Sequence, residues 1–537
     1  EPLVYDIEGE EKKVKTPKDI LNLNVCDPAV GSGTFLVASA RYLTEVLYES
    51  VLTHILVHRD DEGNVVIAPS EQVGLTLDVQ FEAPPIKPTD DGWEEQMKAR
   101  LKRLIVERCL FGVDYNGMAV ELARLALWLE TMDKDLPFEF LDHRIKQGNS
   151  LVGTWFSQYR NYPAKAWERQ DGTGKDRNNK KILRDIIKPE LVTVITGAVQ
   201  YSILEEAEPP EVTLNRQMQY WTELEETQLF DTEKREEIYR KKIEDDEDYK
   251  KLKHQFDRWC AVWFWPSENE NAPTLSPKTL FGDNERIRDI VLDLSSRHHF
   301  FHWELEFPEV FTKTETHETT GFDAIVGNPP WDIQKPNSQE FFSNFDPIYR
   351  TYGKQEALRK QREMFEESPD IEKQWLAYNG SFKAMSNFVR NAHDPYDISL
   401  ARGRANDELK ESWKRKRAKH PAQHCKTTPF ANQGGADLNL YKLFLEQCFH
   451  LLKQDARIGM IIPSGIYTDK GSTDLRKAFL NNANWEWLFA FENKEKIFDI
   501  HRSFKFGPLI LTKGGKTESI KCAFMRHDVK EWESAKP

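Results

Sequence analysis

ILNLNVCDPAVGSGTFLVASARYL, residues Ile20 to Leu43, holds three kinds of local order in succession. An apolar run through Leu23 and Val25 stops at Asp27-Pro28. A glycine-rich turn follows, with Gly31 and Gly33. Phe35, Leu36, Ala40 and Leu43 then recur at helical spacing. This is strand, turn, helix. The glycines allow positive φ and a close approach of backbone to ligand, although a purely structural tight turn would use them too. The turn is not a phosphate loop: Leu36 stands where G-x-G-x-x-G needs its third glycine, and no Gly-Lys-Ser/Thr follows. A carboxylate at the strand tip, Asp27, would repel a phosphate and suits an ammonium group.

The same pattern returns downstream. RCLFGVDYNGMAVELARLALWLE, from Arg108, reads as a strand ending at Asp114 and then an amphipathic helix. A short strand is expected near Ile145, ending in QGNSL. FDAIVGNPPW ends another strand at Asn328-Pro329-Pro330-Trp331. A helix over LNLYKLFLEQCFHLL leads to strands in RIGMIIPSGIY, WEWLFAFEN and FGPLILTKGG. Strand–helix alternation predicts a mostly parallel sheet covered on both faces. Ligands of such sheets bind outside the carboxyl ends of the strands, so Asp27-Pro28, Asp114, Asn149 and the Asn328 turn should converge. Asp114 is placed to accept hydrogen bonds from ribose hydroxyls, as acids at second strands do in nucleotide folds. A cofactor with a ribose, a positive amino group and no phosphate is S-adenosylmethionine.

The Asn328 turn poses a different demand. Two prolines fix φ, remove donors and bias the residue before them towards extended backbone. Asn328 offers a side-chain oxygen and Pro329 a carbonyl of preset direction, so two acceptors can take both hydrogens of one exocyclic amine. That grip favours a pyramidal nitrogen with its lone pair free to attack a methyl donor. Trp331 offers a face on which a base can stack. An ordinary strand-exit turn is the simpler alternative.

The rest of the chain sets limits. Its 537 residues predict two or three domains. There is no apolar run of about 18 residues, so no membrane span is expected. The six cysteines are scattered with no C-x-x-C pair, which fits a reducing cytoplasm and argues against a disulfide framework or a metal site. Glu1-Pro2-Leu3-Val4 resembles neither a signal peptide nor a natural start, and suggests a cut from something longer. The net charge of −14 is unfavourable for nucleic acid as a global sum, but phosphate binding needs only a local basic surface. RGRANDELKESWKRKRAKH, with Lys414, Arg415, Lys416, Arg417 and Lys419, supplies one candidate; a solvated helix face is its plain alternative. Arg502 and Lys505 are further candidates for phosphate contact.

In order, DPAVGSGTFL, GVDYNGMAVELARLALW, GNSLVG, VGNPPW, LYKLFLEQ…RIGMIIPSGIYTDKGSTDLRKAFL and IFDIHRSFKF resemble the γ-type N6-adenine DNA methyltransferases. Within them the likeness is to the Eco57I-like group of type IIG restriction–modification and of BREX- and DISARM-type phage defence. The resemblance spans about Cys26 to Val152 and Phe322 to Gly515. It implies a Rossmann-like class I S-adenosylmethionine-dependent methyltransferase, a mostly parallel α/β sheet of seven strands whose last strand is antiparallel, with helical insertions. The division it implies is a cofactor-binding half at 1–153 with an inserted loop at about 51–92 and a helical insertion at 154–320. A catalytic half follows at 321–515 with a helical region at about 332–433, and then a C-terminal segment, 516–537.

By resemblance, Asp27, Pro28, Ala29, Gly31 and Gly33 hold the cofactor's methionine part, Asp114 its ribose, and Asn149 lies near its adenine. Asn328, Pro329, Pro330 and Trp331 form the catalytic motif, and Asn328 also borders the cofactor. Phe504 or Phe506 supplies a second aromatic face for the target base, unless either serves the core. The expected substrate is adenine in double-stranded DNA, in a bacterial or archaeal cytoplasm, with other defence-system subunits as possible sources of target recognition. The family's YTP segment has no counterpart; KTPKDI near Thr16 sits too close to the strand to serve. Two rivals stand beside this reading: a methyltransferase for RNA or protein glutamine, and a DNA-recognition subunit without catalysis.

Overall fold

The computed structural model describes residues 2–8, 11–54, 57–59, 65–67, 90–131, 141–156, 158–159, 162–170, 177–195, 210–227, 232–266, 272–280, 282, 284–311, 321–393, 430–435 and 437–535. Its centre is an eight-stranded sheet. In chain order the strands are β1 (Val25–Asp27), β2 (Leu110–Asp114), β3 (Ile145–Gln147), β4 (Phe322–Gly327), β5 (Leu452–Pro463), β6 (Ala483–Glu492), β7 (Lys505–Lys513) and β8 (Lys521–Arg526). Their spatial order is β8-β6-β7-β5-β4-β1-β2-β3. Only β7 runs antiparallel to its neighbours, β5 and β6. β1 pairs in parallel with both β2 and β4, and β2 with β3, so the tips of these four strands share one edge.

The expected seven strands, ending in an antiparallel one, are therefore one short. β8 adds an edge strand that pairs in parallel with β6. Its residues, KCAFMR, are mostly exposed, so no apolar alternation marked it.

Both faces of the sheet are covered, as parallel pairing requires. Val25, Leu110 and Ala324 point into a core shared with α1 (Thr34–His54), α2 (Trp93–Arg108) and α3 (Gly117–Thr131). In α1, buried Leu36, Ala40, Leu43, Leu47 and Val51 recur at helical spacing. Cys26, Phe111 and Ile325 point the other way, into a core with Phe301, Trp303, Tyr441 and Leu445. Between α1 and α2, the described backbone of the expected loop is one small hairpin, Val57–Arg59 with Val65–Ile67. Thr16 caps the short helix Pro17–Leu21, its hydroxyl accepting the Asp19 N–H at 3.3 Å, which accounts for KTPKDI structurally.

Between β3 and β4, α4 (Glu247–Phe264) and α5 (Glu285–His298) pack together. Buried Trp259, Trp263 and Phe264 of α4 share a core with Phe388 of α6 (Pro369–Asn391) and with Leu443 and Phe444 of α7 (Leu440–Leu451). The segment returns to the sheet through part-buried ion pairs: Glu306 lies between Lys253 of α4, at 2.7 Å, and Lys146 of β3, at 3.1 Å. Those two ammonium groups hold Glu306 far below the usual carboxylate range despite its burial.

Candidate active site

The glycine turn after β1 is tied to the tip of β2. Gly31, at φ +51, donates its N–H to Asp114 Oδ2 at 2.9 Å, and the other carboxylate oxygen accepts the Asn116 N–H at 2.9 Å. Each oxygen keeps a lone pair for a hydroxyl donor. Gly33, at φ +84, packs against α3, where a Cβ would lie 3.1 Å from Ala123 Cα. Ser150, one residue beyond Asn149, donates from its hydroxyl to the Pro28 carbonyl at 2.6 Å. Strand tips far apart in the chain are thus bonded to one another.

Asp27 is 1% exposed, and its Oδ1 accepts the Ala29 N–H at 3.0 Å. Burial pushes its carboxyl up to about 7; the Ala29 bond opposes this, and the negative charge of Asp114 adds to it. A carboxylate so placed gains by pairing with a cation. Gly327, the last residue of β4, lies against it: a Cβ there would sit 2.7 Å from Asp27 Oδ1. The next residue, Asn328, is exposed, while Pro329 is buried and Pro330 half-buried.

Asn149 is half-buried and bridges to Phe300. Its own N–H donates to the His299 carbonyl at 2.6 Å, and its Oδ1 accepts the Leu151 N–H at 3.1 Å. Tyr115, half exposed, donates its hydroxyl to the Arg297 carbonyl at 2.8 Å and meets the His299 ring edge-on at 5.1 Å. The rim beyond β2 and β3 therefore includes residues from the end of α5, which no motif announced.

Trp331 stacks on Phe504 with ring centroids 6.1 Å apart and planes 17° from parallel. Phe506 also approaches, at 6.0 Å and 31°. Exposure separates them: Phe504 is 46% exposed and Phe506 only 3%, packed among Phe489, Phe491 and Phe498. Phe506 is packed in the core, and Phe504 is the more accessible of the two rings. Phe504 lies just before β7 and remains accessible. Arg502 is exposed on the same loop and Lys505 is half-buried. Lys414, Arg415, Lys416, Arg417 and Lys419 lie outside the described residues.

The structure thus gathers Asp27, Gly31, Asp114, Asn149, Asn328, Trp331 and Phe504 at one edge of the sheet. A small, partly open cleft lined by Ser150, Thr154, Trp155, Trp303, Phe388 and Gln447 touches neither Asp27 nor Asp114. Among the described residues, no group of three or more His, Cys, Asp and Glu side chains is arranged to hold a metal. No described helix is long and apolar enough to cross a membrane.

The family model for the Eco57I restriction-modification methylase matches residues 108–365 and 412–498, more than half of the chain. The chain belongs to the Eco57I restriction-modification methylase family. Its mostly parallel sheet with flanking helices is consistent with that family's Rossmann-like fold. No curated protein matches this Eco57I-family chain. Among solved structures it is similar to a nuclease-deletion mutant of the Type ISP restriction-modification enzyme LlaGI in complex with a DNA substrate mimic. The identity is 9% and the TM-score 0.16, over 94% of this chain and 49% of that one. The chain spans about half the length of that protein.

Proposed function

We propose that this chain transfers a methyl group from S-adenosylmethionine to the N6 amine of an adenine extruded from double-stranded DNA, in restriction–modification or phage defence. The observation that carries the reading is the exposed Asn328 at the tip of β4, directly after Gly327, which leaves no room for a side chain beside Asp27, and followed by the Trp331–Phe504 pair.

The donor set fits the cofactor. Buried Asp27 suits the ammonium of its methionine part, with Pro28, Ala29, Gly31 and Gly33 as the surrounding backbone. Asp114 keeps lone pairs for ribose hydroxyls, and Asn149 and Tyr115 border the place for its adenine. When bound, S-adenosylmethionine supplies an electrophilic methyl group. The side chain of Asn328 and the carbonyl of Pro329 accept the two hydrogens of the adenine amine and aim the nitrogen lone pair. Pro330 stiffens the turn, and Trp331 and Phe504 take the base between their faces. Extrusion costs a few kcal/mol, which stacking of about 1–3 kcal/mol on each face offsets. Alignment supplies most of the rate. Arg502, Lys505 and the basic run Lys414 to Lys419 are the proposed phosphate contacts. In this reading 1–153 and 321–515 are the two halves of one methyltransferase unit and 154–320 is an insertion between them.

The test is methyl transfer from labelled S-adenosylmethionine to duplex DNA, RNA and protein in parallel, with modified-base sequencing of the DNA. N6-methyladenine in duplex DNA is expected; label in RNA or protein alone would overturn the assignment.

A further inference from the structure

The helix that follows Asp114 is apolar on two faces. Val120, Ala123 and Leu127 of α3 are buried in the core shared with α1 and α2. On the opposite side Met118, Leu122, Leu125 and Leu129 form a second stripe. Met118 is 68% exposed and Leu129 54%, and Leu122 and Leu125 are exposed between them. A surface helix ordinarily sets one apolar face against one polar face. Four such side chains leave about 400 Å² of apolar surface, the size at which a patch on a single chain becomes a contact site.

Spacing identifies the partner. The gaps between 118, 122, 125 and 129 are four, three and four residues, the same read in either direction. Two copies of α3 packed antiparallel about a two-fold axis between Ala123 and Arg124 therefore set Met118 against the partner's Leu129, and Leu122 against the partner's Leu125. A two-fold contact needs such a self-complementary surface.

The flanks agree. With about 100° of rotation per residue, Glu121, Arg124 and Trp128 line one side of the stripe and Ala119 and Ala126 the other. Antiparallel packing brings like flanks together, so Glu121 comes opposite the partner's Arg124. The small alanines meet alanines and let the backbones approach. Within one copy Glu121 and Arg124 already pair at 2.8 Å, so this flank presents no net charge to repel its counterpart. Parallel packing would set the charged flank against the alanines instead.

We propose that α3 is the centre of a homodimer interface, in which two copies of this chain pack their Met118–Leu129 stripes antiparallel. A stable pair buries about 800 Å² on each partner; the stripe supplies the apolar centre and the flanks the rim. Because α3 begins just beyond the tip of β2, the two-fold turns the strand tips of the copies to opposite ends of the pair. Neither copy then covers the other's candidate active site.

The test is sedimentation of the full wild-type chain from about 1 to 100 µM, beside Leu122→Glu, Leu122→Met and Glu121→Arg, with circular dichroism and thermal melts as folding controls. The wild type should sediment at twice the chain's mass in the upper part of that range. Leu122→Glu should be monomeric throughout and Leu122→Met dimeric. Glu121→Arg, which faces the partner's Arg124, should weaken association about tenfold and melt close to the wild type. A wild type monomeric at every concentration overturns the interface, whatever other protein binds the stripe. Association unchanged in Leu122→Glu places the contact elsewhere and overturns it too. Association unchanged in Glu121→Arg overturns the antiparallel pairing, and this variant decides alone if Leu122→Glu fails to fold.

Discussion

Gly327 and Asp27 are in contact across β4 and β1: a single methyl group on the glycine would lie 2.7 Å from Asp27 Oδ1, closer than carbon and oxygen tolerate. The residue before Asn328 and the acid proposed to face the cofactor therefore share one packing constraint. Gly327→Ala should damage cofactor affinity and methyl transfer together while leaving most of the fold intact. Calorimetric titration with S-adenosylhomocysteine, alongside a transfer assay, checks this; full retention of both would show that the contact constrains neither.

Asn328 and Asp114 should separate cleanly. Asn328→Ala should abolish transfer and leave cofactor affinity nearly intact, because its proposed partner is the base. Asp114→Ala should mainly weaken cofactor binding and also loosen the glycine turn that it holds through the Gly31 N–H. Swapped effects in the same two assays would reverse the roles.

Cofactor affinity should depend on pH through Asp27. Its carboxyl titrates at about 7 in the folded chain, against an ordinary value of 3.8, so at pH 6 most molecules carry the neutral acid. Only the ionised form pairs with an ammonium, so S-adenosylhomocysteine should bind about tenfold more weakly at pH 6 than at pH 8. Asp27→Asn should flatten that profile. The sign for stability is opposite: a raised acid favours the folded state while protonated, so its contribution is present below about 4 and is lost as pH rises through about 7.

The two phenylalanines of HRSFKF should give unlike phenotypes. Phe506→Ala removes a buried ring and should cost about 3–5 kcal/mol of stability. Phe504→Ala should leave the melting temperature nearly unchanged and reduce transfer by the worth of one stacked face, about 1–3 kcal/mol. Thermal melts and steady-state rates on duplex DNA distinguish them.

Glu306→Gln should destabilise the chain by about 1–3 kcal/mol, since it leaves the part-buried Lys253 and Lys146 ammonium groups without their counter-charge. The same pairing implies acid sensitivity. Glu306 is held low, so its stabilisation is present above the ordinary carboxylate range and is lost as pH falls through its own depressed value. Denaturant melts of the variant and the wild type measure both.

Much of this arrangement was legible from residue type and spacing. Asp27-Pro28, Asp114 and Asn328-Pro329 announce strand ends because proline, glycine and short polar residues interrupt apolar runs sharply. The choice between Phe504 and Phe506 was not legible: alternate residues share a face of an extended segment, and only the start of β7 at Lys505 leaves one ring outside the core. β8 escaped notice because its exposed residues follow no apolar alternation. Gly327 looked like an ordinary strand residue, since what it must avoid is the Asp27 side chain 300 positions earlier. Tyr115, Ser150 and His299 were missed for the same reason: Tyr115 and His299 meet only because the segment before β4 folds back on the sheet, and Ser150 bonds to Pro28, 122 positions earlier.

The bonds from Gly31 to Asp114 and from Ser150 to Pro28 are made by the protein's own groups. Little order has to be created when a methyl donor arrives, so its capture should be fast and limited mainly by encounter. The Trp331–Phe504 pair is different: the rings already lean on each other, and an incoming base must first prise them apart. Waiting time in the catalytic cycle should therefore accumulate on the nucleic-acid side.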